Sequence, residues 1–116
     1  MKKPILCLDF DGVLHSYTSG WKGVDVIPDP PVPGALDFVK SAIEHFEVHI
    51  YSSRSADQEG RKAMVNWLCE HNFPVHTICF PHHKPAAFLT IDDRAMMFTG
   101  EFPDAKSLLN FKPWNK

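Results

Sequence analysis

Short unbroken apolar runs alternate with helically spaced apolar positions along most of the chain. Ile5, Leu6, Cys7 and Leu8 follow one another without a polar interruption and stop at Asp9, which predicts a strand buried on both faces over Pro4 to Phe10. Apolar residues recur at Leu36, Val39, Ile43 and Phe46, a spacing that predicts a helix with one buried face and Gly34 near its start. Val48 to Tyr51 predicts a second strand, and Ala63, Met64, Trp67 and Leu68 mark a second helical stripe between Asp57 and His71. Two more apolar runs, His76 to Phe80 and Ala87 to Ile91, predict further strands, and Met96 to Phe98 a last edge strand. Between Gly12 and Gly34 the pattern lapses into Gly, Ser, Pro and aromatic residues. Pro28, Pro30, Pro31 and Pro33 forbid regular structure in its second half, so a long loop or flap is expected there.

The order strand, helix, strand, helix, then short strands implies an α/β fold, a parallel sheet flanked by helices. In such sheets ligands bind beyond the carboxyl ends of the strands, where backbone amides and helix N-termini converge. The polar residues of this chain fall at those ends. Asp9 and Asp11 follow the first strand, Ser52 the second, Lys84 the third, and Asp92 with Asp93 the fourth.

The length of 116 residues suits one compact domain, read as residues 1–116, with no second unit. A net charge of -2, with Lys and Arg scattered along the chain, gives no bulk electrostatic reason for tight non-specific nucleic-acid binding. No apolar stretch is long enough to span a bilayer, and Lys2, Lys3 and the run after them lack a signal-peptide cleavage site. Three cysteines without CxxC spacing fit reduced thiols. A cytoplasmic protein with no membrane partner and no obligate protein partner is the expectation.

Paired aspartates opposite a lysine suit phosphate chemistry. A carboxylate about 3.5 Å from a phosphate dianion is repelled by roughly 9 kcal/mol at an effective dielectric of about 20, so cations have to offset the charge. A divalent ion held by Asp9 and the Asp92/Asp93 pair, with the Lys84 ammonium, would supply them, and oxygen-only ligands suit Mg²⁺. Ser52 can donate a hydroxyl to a phosphate oxygen, and the amides after Asp9 and Ser52 can form an anion-binding concavity. Attack by Asp9 would give an aspartyl-phosphate.

The segments DFDGVLH, HIYSS, HHKP and LTIDDRA, in that order from Ile5 to Arg94, resemble the four motifs of the haloacid dehalogenase superfamily of phosphotransferases. The resemblance implies a Rossmann-like core with Asp9 as nucleophile and Asp11 as general acid/base that also offers its backbone carbonyl to Mg²⁺. It implies Ser52, with Ser53 and Gly12 beside the phosphate, Lys84 as the residue that orients the nucleophile, and Asp92 and Asp93 as metal ligands. An aspartate at position 11 points to a phosphatase or phosphomutase, since family dehalogenases lack an acid there and the transport ATPases carry threonine. Gly12 to Gly34 and Pro81 to His83 are too short for the caps such proteins insert, so a capless core is expected, a form that often serves macromolecular or exposed phosphorylated substrates. The tail LTIDDRAMMFTGEFP is similar to small phage and bacterial members. Likeness to nucleic-acid repair phosphatase domains makes a nucleotide or nucleic-acid end the leading substrate class, ahead of a phosphoprotein or a small metabolite. A non-catalytic phosphate- or metal-binding module on the same fold is the alternative of a different class.

Blander roles stand beside these. Asp92 and Asp93 can cap a turn, Ser52 or Ser53 can close one, and Lys84 can be a solvated loop residue before Pro85. Arg54 and Arg94 read as surface or ion-pair residues. Cys69, His71, His76, Cys79, His82 and His83 invite a zinc reading, against which Cys79 in an apolar run and Cys69 near a helix end read as small hydrophobes. Trp67 reads as core, and Tyr17 and Trp21 as either packing or a platform for a substrate ring.

Overall fold

The computed structural model describes residues 2–116. Its regular elements are β1 (Ile5–Leu8), α1 (Ala35–Ala42), β2 (Glu47–Ile50), α2 (Gln58–Glu70) and β3 (Leu89–Ile91), with 3₁₀ turns at Val75–Thr77 and Ala105–Asn110. The three strands form one parallel sheet in the order β2-β1-β3. The central strand is therefore β1, whose apolar run Leu6–Cys7–Leu8 is buried as a strand with neighbours on both edges should be. Its two neighbours lie on opposite sides, so the crevice beyond Leu8 is a topological switch point of the sheet.

Register fixes what each face carries. Leu6 pairs with Val48 and Leu8 with Ile50, and all four join Ala35, Val39 and Ala42 of α1 and Met64, Trp67 and Leu68 of α2 in one core. Cys7 pairs with His49 on the opposite face. Helix α1 begins at Gly34, whose left-handed φ of 88° turns the chain out of the proline-rich stretch. It ends at Ala42, and the rest of the predicted helix, through Phe46, is a hydrogen-bonded turn leading straight into β2. Helix α2 is capped by Asp57, whose carboxylate accepts the Glu59 N–H at 2.8 Å, and stops where Asn72 takes a φ of 69°.

The predicted third and fifth strands are not formed. Val75–Thr77 instead winds into a 3₁₀ turn, held by the Thr77 hydroxyl donating to the Pro74 carbonyl at 2.7 Å. Only Cys79 reaches β2, as an isolated parallel bridge to His49, before Pro81 and Pro85 interrupt any ladder. Met96 to Phe98 pairs with no strand among the described residues and is exposed: apolar composition predicts a strand only where a free edge meets it. The predicted fourth strand shrinks to Leu89–Ile91. No α-helix follows Glu70 among the described residues, and no helix there is long and apolar enough to cross a membrane.

Candidate active site

Asp9 is the first residue past β1, and its N–H still donates to the Ile91 carbonyl of β3 at 3.0 Å. That last rung of the ladder sets Asp9 beside the residues just past β3. One carboxylate oxygen each from Asp9, Asp92 and Asp93 lies within 4.8 Å of the others. Burial, then a hydrogen bond with the Asp93 side chain, pushes the Asp9 carboxyl up to about 8, while the Phe10 N–H at 2.8 Å works the other way. Asp93 Oδ1 is buried with no hydrogen-bond partner among the described residues. Ligand oxygens around Mg²⁺ stand about 3 to 4 Å apart, inside the 4.8 Å within which these three lie. Three crowded carboxylates, one with a bare lone pair, thus fit a hard divalent cation. Asp92 also closes a turn, accepting the Arg94 N–H at 2.8 Å.

Gly12 is required by this packing. Its φ is 85°, and a Cβ built on it would run into the Asp93 carboxylate. Glycine lets the chain after Asp11 pass against the acidic group, which any side chain would displace.

Asp11 is held more firmly than any other acid of the site. Arg54 Nε donates to its Oδ2 at 2.9 Å and Arg54 Nη2 to its Oδ1 at 3.2 Å. His15 lies 2.9 Å from Oδ1 through Nδ1, while its Nε2 accepts the Asp29 N–H at 3.1 Å. The second bond leaves the proton on Nδ1, so the ring is a neutral donor to Asp11. Both partners are completely buried. Of the surface and ion-pair roles expected for Arg54 the ion pair is the one formed, and it is buried, because the charge is satisfied inside: Nη1 donates to the Gly23 and Val24 carbonyls at 2.9 and 2.7 Å, and the guanidinium lies 4.6 Å from the Trp21 ring centre. Gly60 of α2 makes room, since a Cβ there would strike the Arg54 carbonyl.

These contacts give the 12–34 segment its form. Ser16 N–H donates to the Pro30 carbonyl at 2.9 Å and Val32 N–H to the Leu14 carbonyl at 2.8 Å, so its two ends run antiparallel. Asp29 binds Ser19 through both the backbone N–H, at 2.8 Å, and the hydroxyl, at 2.6 Å. Burial opposes its charge, but the Ser19 and Thr18 bonds outweigh that and hold the carboxyl below its ordinary range.

The remaining predicted residues converge on two adjoining cavities. One, of about 140 Å³, is lined by Asp9, Ser52, Ser53, Lys84 and Asp92, together with Cys7, Tyr51 and Thr90. The other, of about 260 Å³, is lined by Asp9, Asp11, Tyr17, Ser53, Asp92, Asp93 and Arg94. Lys84 is exposed and makes no ion pair among the described residues. The Ser52 hydroxyl is buried and closes a turn, accepting the Arg54 N–H at 3.1 Å and donating to the Met64 sulfur at 3.5 Å. Ser53 is exposed and borders both cavities.

Two features escape a reading of the sequence. His15 stands four residues after Asp11, but nothing in a loop pattern says that the ring turns back onto it. The C-terminal end also returns to the site: Trp114 Nε1 donates to the Gly12 carbonyl at 2.7 Å, Asn115 Nδ2 to the Ser16 carbonyl at 2.9 Å, and the Lys116 ammonium lies 5.7 Å from the Tyr17 ring. Trp21 packs on Arg54, whereas Tyr17 borders the acidic cavity. The six His and Cys residues of the zinc reading are not gathered; Cys69 and Cys79 are exposed rather than buried as small hydrophobes, and Cys79 lies instead with Glu47 and His49. Trp67 is core, as expected, with its Nε1 donating to the Asp29 carbonyl at 3.1 Å.

No family model, curated protein or solved structure matches the chain.

Proposed function

We propose that the chain is a Mg²⁺-dependent phosphomonoester hydrolase of haloacid dehalogenase type, a Rossmann-like core without a cap domain. The observation that carries the reading is the convergence of Asp9, Ser53, Lys84, Asp92 and Asp93 on two adjoining cavities at the carboxyl ends of β1 and β3, with Asp11 clamped two residues from Asp9. Asp9 is the nucleophile. Its carboxylate oxygen attacks phosphorus, the ester P–O bond breaks, and Asp11 gives its proton to the departing oxygen. Asp11 then takes a proton from water, which attacks the aspartyl-phosphate and releases inorganic phosphate and free Asp9. Arg54 and His15 orient the Asp11 carboxylate through both steps, and the Ser53 hydroxyl, with Ser52 and Gly12 behind it, borders the phosphate. Lys84 offsets the charge of nucleophile and phosphate. Asp9, Asp92 and Asp93, with the Asp11 carbonyl, would hold Mg²⁺, which when bound supplies further positive charge at the reacting oxygens.

The substrate class is a nucleotide or nucleic-acid end. Tyr17 offers a ring beside the phosphate position, and Arg94 and Lys116 add cationic groups on the same side. The test is a panel of phosphorylated nucleotides, 3′- and 5′-phosphorylated oligonucleotides, sugars and a phosphopeptide, assayed with Mg²⁺ and with chelator. Chelation should stop turnover, Mg²⁺ restore it, and Ca²⁺ restore little, because its looser shell relaxes in-line geometry. Preference for a phosphopeptide or sugar would replace the substrate class. Absence of hydrolysis across the panel with Mg²⁺ would leave a non-catalytic phosphate- or metal-binding module.

A further inference from the structure

On the sheet face away from the helices, Glu47 and His49 are two residues apart in β2, and so on one side of the strand. Cys79 is the bridge partner of His49, held by its N–H to the Val48 carbonyl and by the Ile50 N–H to its own carbonyl, both at 2.9 Å. Parallel register therefore sets the thiol beside the imidazole. One donor atom from each of the three residues lies within 4.8 Å of the others. His49 Nε2 is 3.0 Å from Glu47 Oε2, an arrangement in which the imidazole donates its single N–H. An ion taking the place of that proton would meet Nε2 and Oε2 together, and the ring's remaining N–H would then sit on Nδ1, which is buried with no partner among the described residues.

We infer that Glu47, His49 and Cys79 form a binding site for a soft divalent ion, Zn²⁺, separate from the carboxylate site at Asp9. The donor set argues for the ion. Sulfur, imidazole nitrogen and a single carboxylate suit Zn²⁺ and are poor partners for Mg²⁺. Zinc bond lengths of about 2.0 to 2.3 Å put tetrahedral donors about 3.4 to 3.7 Å apart, a spread that donors all within 4.8 Å of one another, with Glu47 and His49 at 3.0 Å, reach by small side-chain shifts. Binding displaces the Cys79 thiol proton, and the thiolate and carboxylate together balance the charge of the ion. Water or an outside ligand takes the fourth position, since Cys79 is exposed. The site replaces the ladder that the 74–80 stretch lacks: it would staple Cys79 to β2, five residues ahead of Lys84.

Cobalt(II) is the probe, because a thiolate ligand gives it a charge-transfer band that carboxylates do not. Titration is done with Mg²⁺ in excess to occupy the carboxylate site, followed by displacement with Zn²⁺. One cobalt per chain with a thiolate band, bleached by Zn²⁺, is expected. Cys79→Ser should abolish the band, and His49→Ala and Glu47→Gln should each weaken binding by about tenfold or more. Cys69→Ser and the Asp92→Asn/Asp93→Asn double variant should leave it intact. These are surface or half-buried positions, and circular dichroism of the metal-free variants checks that each is folded. No thiolate band in the unaltered protein, a band that survives Cys79→Ser, or one lost with Cys69→Ser would overturn the site.

Discussion

The Arg54 guanidinium grips both oxygens of the Asp11 carboxylate, at 2.9 and 3.2 Å, across 43 positions of sequence. The same guanidinium takes the carbonyls of Gly23 and Val24 and the face of Trp21. One buried cation thus joins the residue proposed as acid/base to the tip of the 12–34 segment.

Replacing it should separate binding from chemistry. Lysine keeps the charge but lacks the planar fork, so Arg54→Lys should leave Asp11 loosely aimed. A fall in kcat of roughly tenfold to a hundredfold with little change in KM is expected, by analogy with other supporting residues around a site. Arg54→Ala, which strands Asp11 and two carbonyls, should cost about 3 to 5 kcal/mol of stability as well. Steady-state kinetics and thermal melts measure both, and an unchanged kcat in folded Arg54→Lys would remove the clamp from the mechanism.

Asp9 governs how the metal-free protein responds to pH. Its carboxyl is raised in the folded state from 3.8 to about 8, so the folded protein holds a proton there that the unfolded chain releases. The stability tied to that proton is complete below pH 4 and is lost as pH rises toward about 8. Asp9→Asn should flatten this slope and raise the melting temperature of the metal-free protein at neutral pH, while abolishing turnover. Denaturant titrations with chelator across this range check the slope, and near-wild-type turnover in folded Asp9→Asn would sink Asp9 as nucleophile.

Gly12→Ala combines a disfavoured φ with a collision against Asp93. A loss of more than about 1 kcal/mol is expected from the backbone alone. Displacement of Asp93 should also weaken Mg²⁺ binding, which isothermal titration would show. Unaltered stability and Mg²⁺ affinity together would mean that the turn has room the structure does not display.

Asp11→Asn should slow phosphorylation of Asp9 far more with an alkyl phosphate than with a nitrophenyl phosphate, because nitrophenolate departs without a proton. Hydrolysis of the aspartyl-phosphate still lacks its base, so the aryl ester should give a burst near one equivalent and then slow turnover. Rapid-quench assays on both esters decide it. Equal rate losses with no accumulated phosphoenzyme would take Asp11 out of the acid/base role.

Much of this organisation is legible in the order of residues because it depends on local pattern. The apolar run ending at Asp9, the helical stripe of α2 and the prolines after Gly12 each report backbone state directly, and strand ends in a parallel sheet share one edge. Asp9, Asp92 and Asp93 therefore fall at one edge of the sheet by sequence alone. Other features depend on pairing across distance. Whether His76 to Phe80 becomes a strand is decided by how much of it reaches β2, and only Cys79 does. Whether Arg54 faces water or Asp11 is decided by Gly23, Val24 and Gly60, none of which is near it in sequence except Gly60. The return of Trp114 to the Gly12 carbonyl spans 102 positions. Local propensity is written in neighbouring residues, whereas a buried polar contact exists only when remote segments supply its partners, and that is what the tertiary structure alone decides.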